Sequence, residues 1–471
     1  MPTLRQCQWI VCAAMGLVLV VVSILHVSAG DPVEKTGDEL RGRVERLVAD
    51  LDSDSRQTRE LAERALRDLG PRVLPLLPAP DLISGAAARD AVRRVRVVLE
   101  QQQARESAGP SRVTFHGTVS LEQLLGALSS QTANTLEYGS LPEKVRRAQV
   151  VADLDNQTFW SAINSIAGRE RLLLDEGAPG TLRLRPRAAT TPAPGSEADA
   201  VKTSAGNGEI AVRSVGAFRV ALRSAGVRTS FVENTPRLLR FQFGLMSEPR
   251  LRPLFLKYSA ADFSAVTDAG EKLAPTSPQA KFELPAGEGT GNWNVQVDFN
   301  LPQKMAPLRS GIQGKLSVLT AASPEKFTFE GLAKTKIAGI SRRKGGVAVR
   351  VDDVTVRGTP EKTTTAVVRI VVNYDTGGPA FESHRTWIFQ NEAWIETPEG
   401  RRVPFAGMPQ IRRQDDGGVA VEYNFVGLPQ QPDVCRFVYV APTLLVDVPI
   451  EFEFAEVPIL VTDKDKKDAA P

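Results

Sequence analysis

Glu382, Ser383, His384 and Arg385 stand in a row and bring a carboxylate, a hydroxyl and an imidazole within four residues. A hydrolase uses such groups as orienter, nucleophile and base. On a regular strand, though, neighbouring side chains point to opposite faces, so Ser383 and His384 cannot pair. No Gly-x-Ser-x-Gly elbow presents another serine. Metal chemistry is equally poorly supplied. The histidines are His26, His116 and His384 and the cysteines Cys7, Cys12 and Cys435, scattered along the chain, whereas a zinc site needs several such ligands to converge. Asp50, Asp52 and Asp54 alternate like the opening of an EF-hand loop. Ser55 then stands where the turn demands glycine, and Leu61 where a bidentate glutamate belongs. The three acids are expected instead to cap the next helix and complement its dipole.

Two further groupings invite chemistry. Glu451 and Glu453 share one face of a segment whose other face is Val446, Val448, Ile450, Phe452 and Phe454. That is the pattern of a half-buried strand with solvated charge. Trp387, Phe389 and Trp394 flank the short turn Gln390-Asn391-Glu392 and offer an aromatic plate for sugar; hairpin packing is the favoured reading, because a chain with 6% aromatics needs them inside. No catalytic, cofactor-binding or metal residue is assigned, no cofactor is expected, and the chain reads as non-enzymatic. A hydrolase with an unidentified carboxylate site is the alternative.

The elements that would position any site follow from composition and period. With 58 basic and 55 acidic residues in 471, the net charge of +3 gives no global field for a nucleic acid. Arg5, the apolar run Trp9 to Leu25 and the small residues Val27 and Ala29 predict a signal peptide over 1–29, cleaved after Ala29, or else an uncleaved anchor. Either exports the body to the periplasm or cell envelope, with no membrane span after cleavage. Residues 38–105 are helical by the spacing of Leu40, Val44, Leu47, Val48 and Leu51 and of Leu61, Ala62, Ala65, Leu66 and Leu69, the second run stopped by Gly70-Pro71. Residues 111–187 read βαββαββ, a small sheet with both helices on one face, with Ser120 and Gln123 as a capping box and a hairpin around Glu176 to Gly180. The Ala, Thr, Pro, Gly and Ser of 188–208 predict a flexible linker. Beyond it the period is two. Residues 209–333 read as a β-sandwich-like module, with late strands at Leu316 to Leu319 and Phe327 to Glu330. Residues 334–460 read as an immunoglobulin-like sandwich whose seven strands include Cys435 to Val440 and Val446 to Phe454. Residues 461–471 form a charged tail. The fold class is multidomain α+β: a helical hairpin region, a small βαββαββ module, then two antiparallel β-sandwich-like modules.

Three resemblances add to this. Leu47 to Asp54, Arg59-Glu60, Leu69-Gly70 and Leu74-Pro75 resemble a HEAT-type helical hairpin. Val113-Thr114-Phe115, Ser120 to Leu125, Val150 to Leu154, Phe159 to Ile163 and Leu182-Arg183-Leu184 resemble the short N-terminal domain of secretins and TonB-dependent signalling receptors. The overall order resembles exported proteins of planctomycete-type bacteria. The second resemblance implies a module that makes protein contacts in the periplasm and performs no chemistry, here without a following outer-membrane barrel. The expected function is therefore binding or scaffolding in the cell envelope through a protein partner. An accessory role in a secretin-like or TonB-linked assembly is the runner-up. The expected contact is Gln149, Val150, Val151 and Ala152, presented as a strand edge; the competing reading buries that strand, with Val150 and Val151 packing on either face.

Overall fold

A computed structural model describes residues 32–187, 208–228, 237–287, 291–302, 305, 307–332, 334–358, 364–374, 388, 391–415, 418–429 and 431–460. The expected signal peptide, the linker apart from Gly208, Ser383, His384, Trp387, Phe389 and the charged tail lie outside these residues. The protein is α+β, with strand predominating.

Three helices come first: α1 (Pro32–Asp50), α2 (Arg56–Asp68) and α3 (Ala86–Ala108). Val44, Ala62, Leu66, Val92, Val95 and Leu99 close their common core. The sequence expectation for the start of α2 is corrected here: Ser55, not an aspartate, is the N-cap, its Oγ accepting the Thr58 N–H. Asp50, Asp52 and Asp54 stay exposed. At the other end Gly70 takes φ +77°, a left-handed value that suits glycine, and Pro71 opens a 3-10 turn.

Next come β1 (Arg112–Ser120), α4 (Leu121–Thr132), β2 (Thr135–Glu137), α5 (Glu143–Arg146), β3 (Gln149–Thr158), α6 (Phe159–Arg169), β4 (Leu172–Glu176) and β5 (Thr181–Pro186). Ser120 and Gln123 form the capping box at α4, each side chain bonding the other's backbone. One sheet was expected here. The strands instead form two, β1–β3 and β2–β5–β4, with Leu124, Leu128, Trp160, Ile163 and Leu184 packed in the core they share.

The remaining strands are β6 (Ala211–Val215), β7 (Phe218–Arg228), β8 (Arg237–Ser247), β9 (Arg252–Ser259), β10 (Phe263–Thr267), β11 (Lys272–Leu273), β12 (Lys281–Pro285), β13 (Asn292–Leu301) and β14 (Arg309–Glu330). After α7 (Lys334–Ile337) follow β15 (Ser341–Lys344), β16 (Val347–Arg357), β17 (Thr364–Tyr374), β18 (Ala393–Glu396), β19 (Arg402–Pro404), β20 (Gln410–Asp415), β21 (Gly418–Leu428) and β22 (Arg436–Pro458). The segments expected as separate strands, 316–319 with 327–330 and 435–440 with 446–454, are two single long strands. β14 and β22 pair antiparallel from Arg309↔Pro458 to Glu330↔Arg436. Pro324 and Pro442, which look like breaks, stand opposite each other in that register.

This pair runs through the middle of an eight-stranded sheet that serves two cores. A four-stranded sheet, β13–β8–β7–β6, packs over Ile312, Leu316, Val318, Ile450, Phe452 and Phe454. A five-stranded sheet, β15–β16–β17–β21–β20, packs over Leu319, Phe327, Phe329, Phe437, Tyr439 and Ala441. The first set occupies even positions and the second odd ones, so the two sheets cover opposite faces of the shared sheet. A division of the chain at residue 333 does not follow the packing: strands from both sides of it enter each core.

The segments on either side of 188–208 are docked to each other through buried polar groups. The Glu248 carboxylate, fully buried after β8, accepts the backbone N–H and Oγ–H of Ser111 at 3.0 and 2.7 Å, and Nδ2–H of Asn134 at 3.3 Å. It also takes Arg250 Nε–H at 2.6 Å, while Arg250 reaches the carbonyls of Ser107 and Gly109. Trp160 donates its indole N–H to Ala217 at 3.1 Å. Arg219 forms a buried two-pronged ion pair with Glu209 and donates Nε–H to Asn164 of α6 at 2.8 Å.

Removing one partner of a buried charged network leaves the rest unpaired and costs about 3–5 kcal/mol. Glu248→Ala is expected to lower global stability by about 3 kcal/mol and Glu248→Gln by less, because the amide keeps one acceptor oxygen. Denaturant titration checks this, and equal loss in both variants refutes it. A second outcome concerns pH. Glu422 of β21 is held below the usual carboxylate range by its hydrogen bond to Arg412 and by Arg369, against the opposing effect of burial. A depressed folded value contributes stability that is full above the unfolded value of about 4.3 and lost as pH falls through the folded value. Glu422→Gln should therefore lower the melting temperature at pH 7, and the gap to the parent should close as the pH drops below about 4.

Candidate partner-binding edge

Alternation of Val150, Ala152 and Leu154 with Val151, Asp153 and Asp155 makes β3 an amphipathic strand: the first three are buried and the others exposed. It is ten residues long where a short strand was expected, and the same alternation carries it past Ala152. β1 is its sole strand partner among the described residues, through Val119↔Val150, Thr118↔Val151, Gly117↔Ala152 and His116↔Asp153.

Just beyond the ladder, Leu121 N–H donates to Ala148 C=O at 3.0 Å. That bond fixes the phase. In an antiparallel ladder directly opposed pairs alternate between exchanging hydrogen bonds and not, so Val150 and Ala152 bond to β1 while Val151 and Asp153 turn their backbone groups outward. The Val151 carbonyl is taken there by Arg169 Nη1 of α6 at 2.9 Å. The Val151 N–H has no strand opposite it among the described residues, and its side chain is 65% exposed. Of the four expected residues, Val150 and Ala152 anchor the strand in the core and Gln149 and Val151 present it. The alternative, in which Val150 and Val151 pack on either face, is not what forms.

The other chemically suggestive residues are dispersed. His116 lies on the exposed face of β1 with Nδ1 2.7 Å from Asp153 Oδ1. Cys435 is buried in the core under the five-stranded sheet, and burial pushes its thiol up, away from the reactive thiolate. Glu451 is exposed and pairs with Lys315 at 2.8 Å, and Glu453 is exposed beside it. Trp394 of β18 is buried, but on the face opposite Ile395. Among the described residues no group of three or more His, Cys, Asp or Glu side chains is arranged to hold a metal ion, and no helix is long and apolar enough to cross a membrane. Sequence reading missed Arg169, which occupies part of the β3 edge; it is the last residue of α6, and only the fold brings that helix end beside Val151.

No family model matches the chain, and no curated protein matches it. Among solved structures, that of GK1651 from Geobacillus kaustophilus is similar at 12% identity, covering 50% of this chain and 96% of that one, with a TM-score of 0.08. A likeness at that level carries no argument about fold or function.

Proline has no N–H, so its effect depends on where the amide points. Val151→Pro removes an outward donor and should leave the circular dichroism spectrum of the protein intact. Val150→Pro removes a ladder bond to Val119 beneath the core and should unfold the 111–187 region. Comparable unfolding of both variants would show that the outer edge of β3 is itself structural.

Proposed function

We propose that the protein is a non-enzymatic, exported binding or scaffold protein of the cell envelope, whose partner adds an extended segment along the outer edge of β3. One observation carries the reading: an amphipathic strand held to the body by one neighbour and by Val150, Ala152 and Leu154, with the Val151 N–H turned outward. Such an edge recruits a partner through backbone bonds and asks little of side-chain chemistry. The charged Asp153 and Asp155 and the clamp of Arg169 on the Val151 carbonyl restrict which chains can pair. Export rests on Arg5 and the apolar run Trp9 to Leu25. On this reading residues 38–105 act as a HEAT-like arm. Residues 111–187 act as a module like the short N-terminal domain of secretins and TonB-dependent receptors, and the β-sandwich-like modules as the body that carries it.

The docking described above supports a scaffold role, because Glu248, Trp160 and Arg219 fix the 111–187 region to the β body and so hold the edge at a set orientation. The experiment is affinity capture from native envelopes with the parent chain and with Val151→Pro. A protein partner retained by the parent and reduced at least tenfold in the folded variant is the expected result. Recovery of secretion-machinery or TonB-linked subunits would assign the accessory role in such an assembly. Equal capture by both chains removes β3 as the contact.

A further inference from the structure

The face switch in the shared sheet leaves part of one face uncovered where the four-stranded sheet has ended. Trp394, Val438 and Lys326 lie on that face, across β18, β22 and β14, while Ile395, Phe437 and Phe327 point into the core behind them. A hollow of about 360 Å³ opens there, lined by Trp394, Arg252, Lys326, Arg402, Glu325 and Glu392. Trp394 is only 5% exposed, yet its Nε1–H has no acceptor among the described residues. A buried donor without an acceptor is rare in folded proteins and calls for an explanation. Arg402 lies over the indole ring, 4.4 Å from its centroid, and Lys326 stands 5.6 Å from it. Among the described residues Arg252, Lys326 and Arg402 make no ion pair, whereas Glu325 is partnered by Lys344 at 3.6 Å.

We propose that this hollow binds the uronate units of an acidic polysaccharide. Three cations without a carboxylate partner among the described residues, around a buried indole donor, call for a ligand bearing anionic oxygen, and a carboxylate accepts from guanidinium and indole N–H groups alike. Glu392, whose side chain has no partner among the described residues, narrows the class further: it repels a simple anion but accepts hydrogen bonds from hydroxyls. A ligand carrying both groups satisfies the whole lining. β18 and β22 are bonded on both sides beneath the hollow, and β14 beside Lys326 pairs with β22, so the hollow opens on the face of the sheet. Its lining is a sheet face, against which a sugar ring lies flat. Arg402 is exposed and turns from the indole face to the ligand carboxylate, opening the ring and its N–H.

Calorimetric titration of the full chain with oligogalacturonate tests this, with dextran oligomers as neutral sugar and poly-glutamate as acidic peptide. Oligogalacturonate should bind, dextran should not, and the affinity should fall with salt. The surface pair Arg402→Gln/Lys326→Gln should weaken binding at least tenfold with an unchanged melting temperature, and Trp394→Phe, which keeps a ring but no donor, should weaken it several-fold. Absence of oligogalacturonate binding at millimolar concentration overturns the proposal, as does unchanged affinity in the Arg402/Lys326 variant. Poly-glutamate binding as tight as oligogalacturonate also overturns it and assigns the hollow to an acidic peptide.

Discussion

The pairing of β14 with β22 is the constraint on which the β body depends. These strands carry two apolar stripes out of phase with each other, even-numbered near Ile312 and Phe452 and odd-numbered near Phe327 and Phe437. Because side chains alternate across a strand, the change of phase turns the buried surface from one face of the sheet to the other without any break in the ladder. Two sheets can then pack on one, on opposite faces and displaced along it. Near Val318 and Leu319 both faces are buried. α3 also lies against this pair, so the helical region is joined to the same element.

The junction between the 111–187 region and the β body is built differently. It carries buried polar groups of the β body, Glu248 with Arg250 and Glu209 with Arg219, besides the Trp160 bond to Ala217 and Met246 packed into the core of the 111–187 region. Such groups are costly to bury unpaired, so they tolerate few alternative arrangements. The strand that faces outward on this region is therefore held at a definite angle to the sheets.

Much of the local structure was legible in sequence, for local reasons. The capping box at Ser120, the glycine stop at Gly70 and the turn between Glu176 and Thr181 involve residues a few positions apart. The amphipathic spacing around Trp160 and Val150 likewise predicts which face is buried. What could not be read was set by distance. A change of phase in a period-two pattern looks like the end of one strand and the start of another, so β14 and β22 each read as two. The strand at Gln149 to Ala152 was found, but whether its edge was free depended on Ala148, Leu121 and Arg169, which only the tertiary fold brings together. The Trp394 hollow combines β9, β14, β18, β19 and β22, strands spread from Arg252 to Val440.

The position of β22 at the end of the described chain has a consequence for how the protein reaches this structure. Ile450, Phe452 and Phe454 complete a core whose other members begin at Ala217. The growing chain must hold that sheet open until its last strand is made. Contacts of such long sequence separation slow folding, since the loop between them must be closed before the pairing repays it. A chain that commits late stays threadable for longer, and a nascent chain cut short before β22 would have neither β core closed.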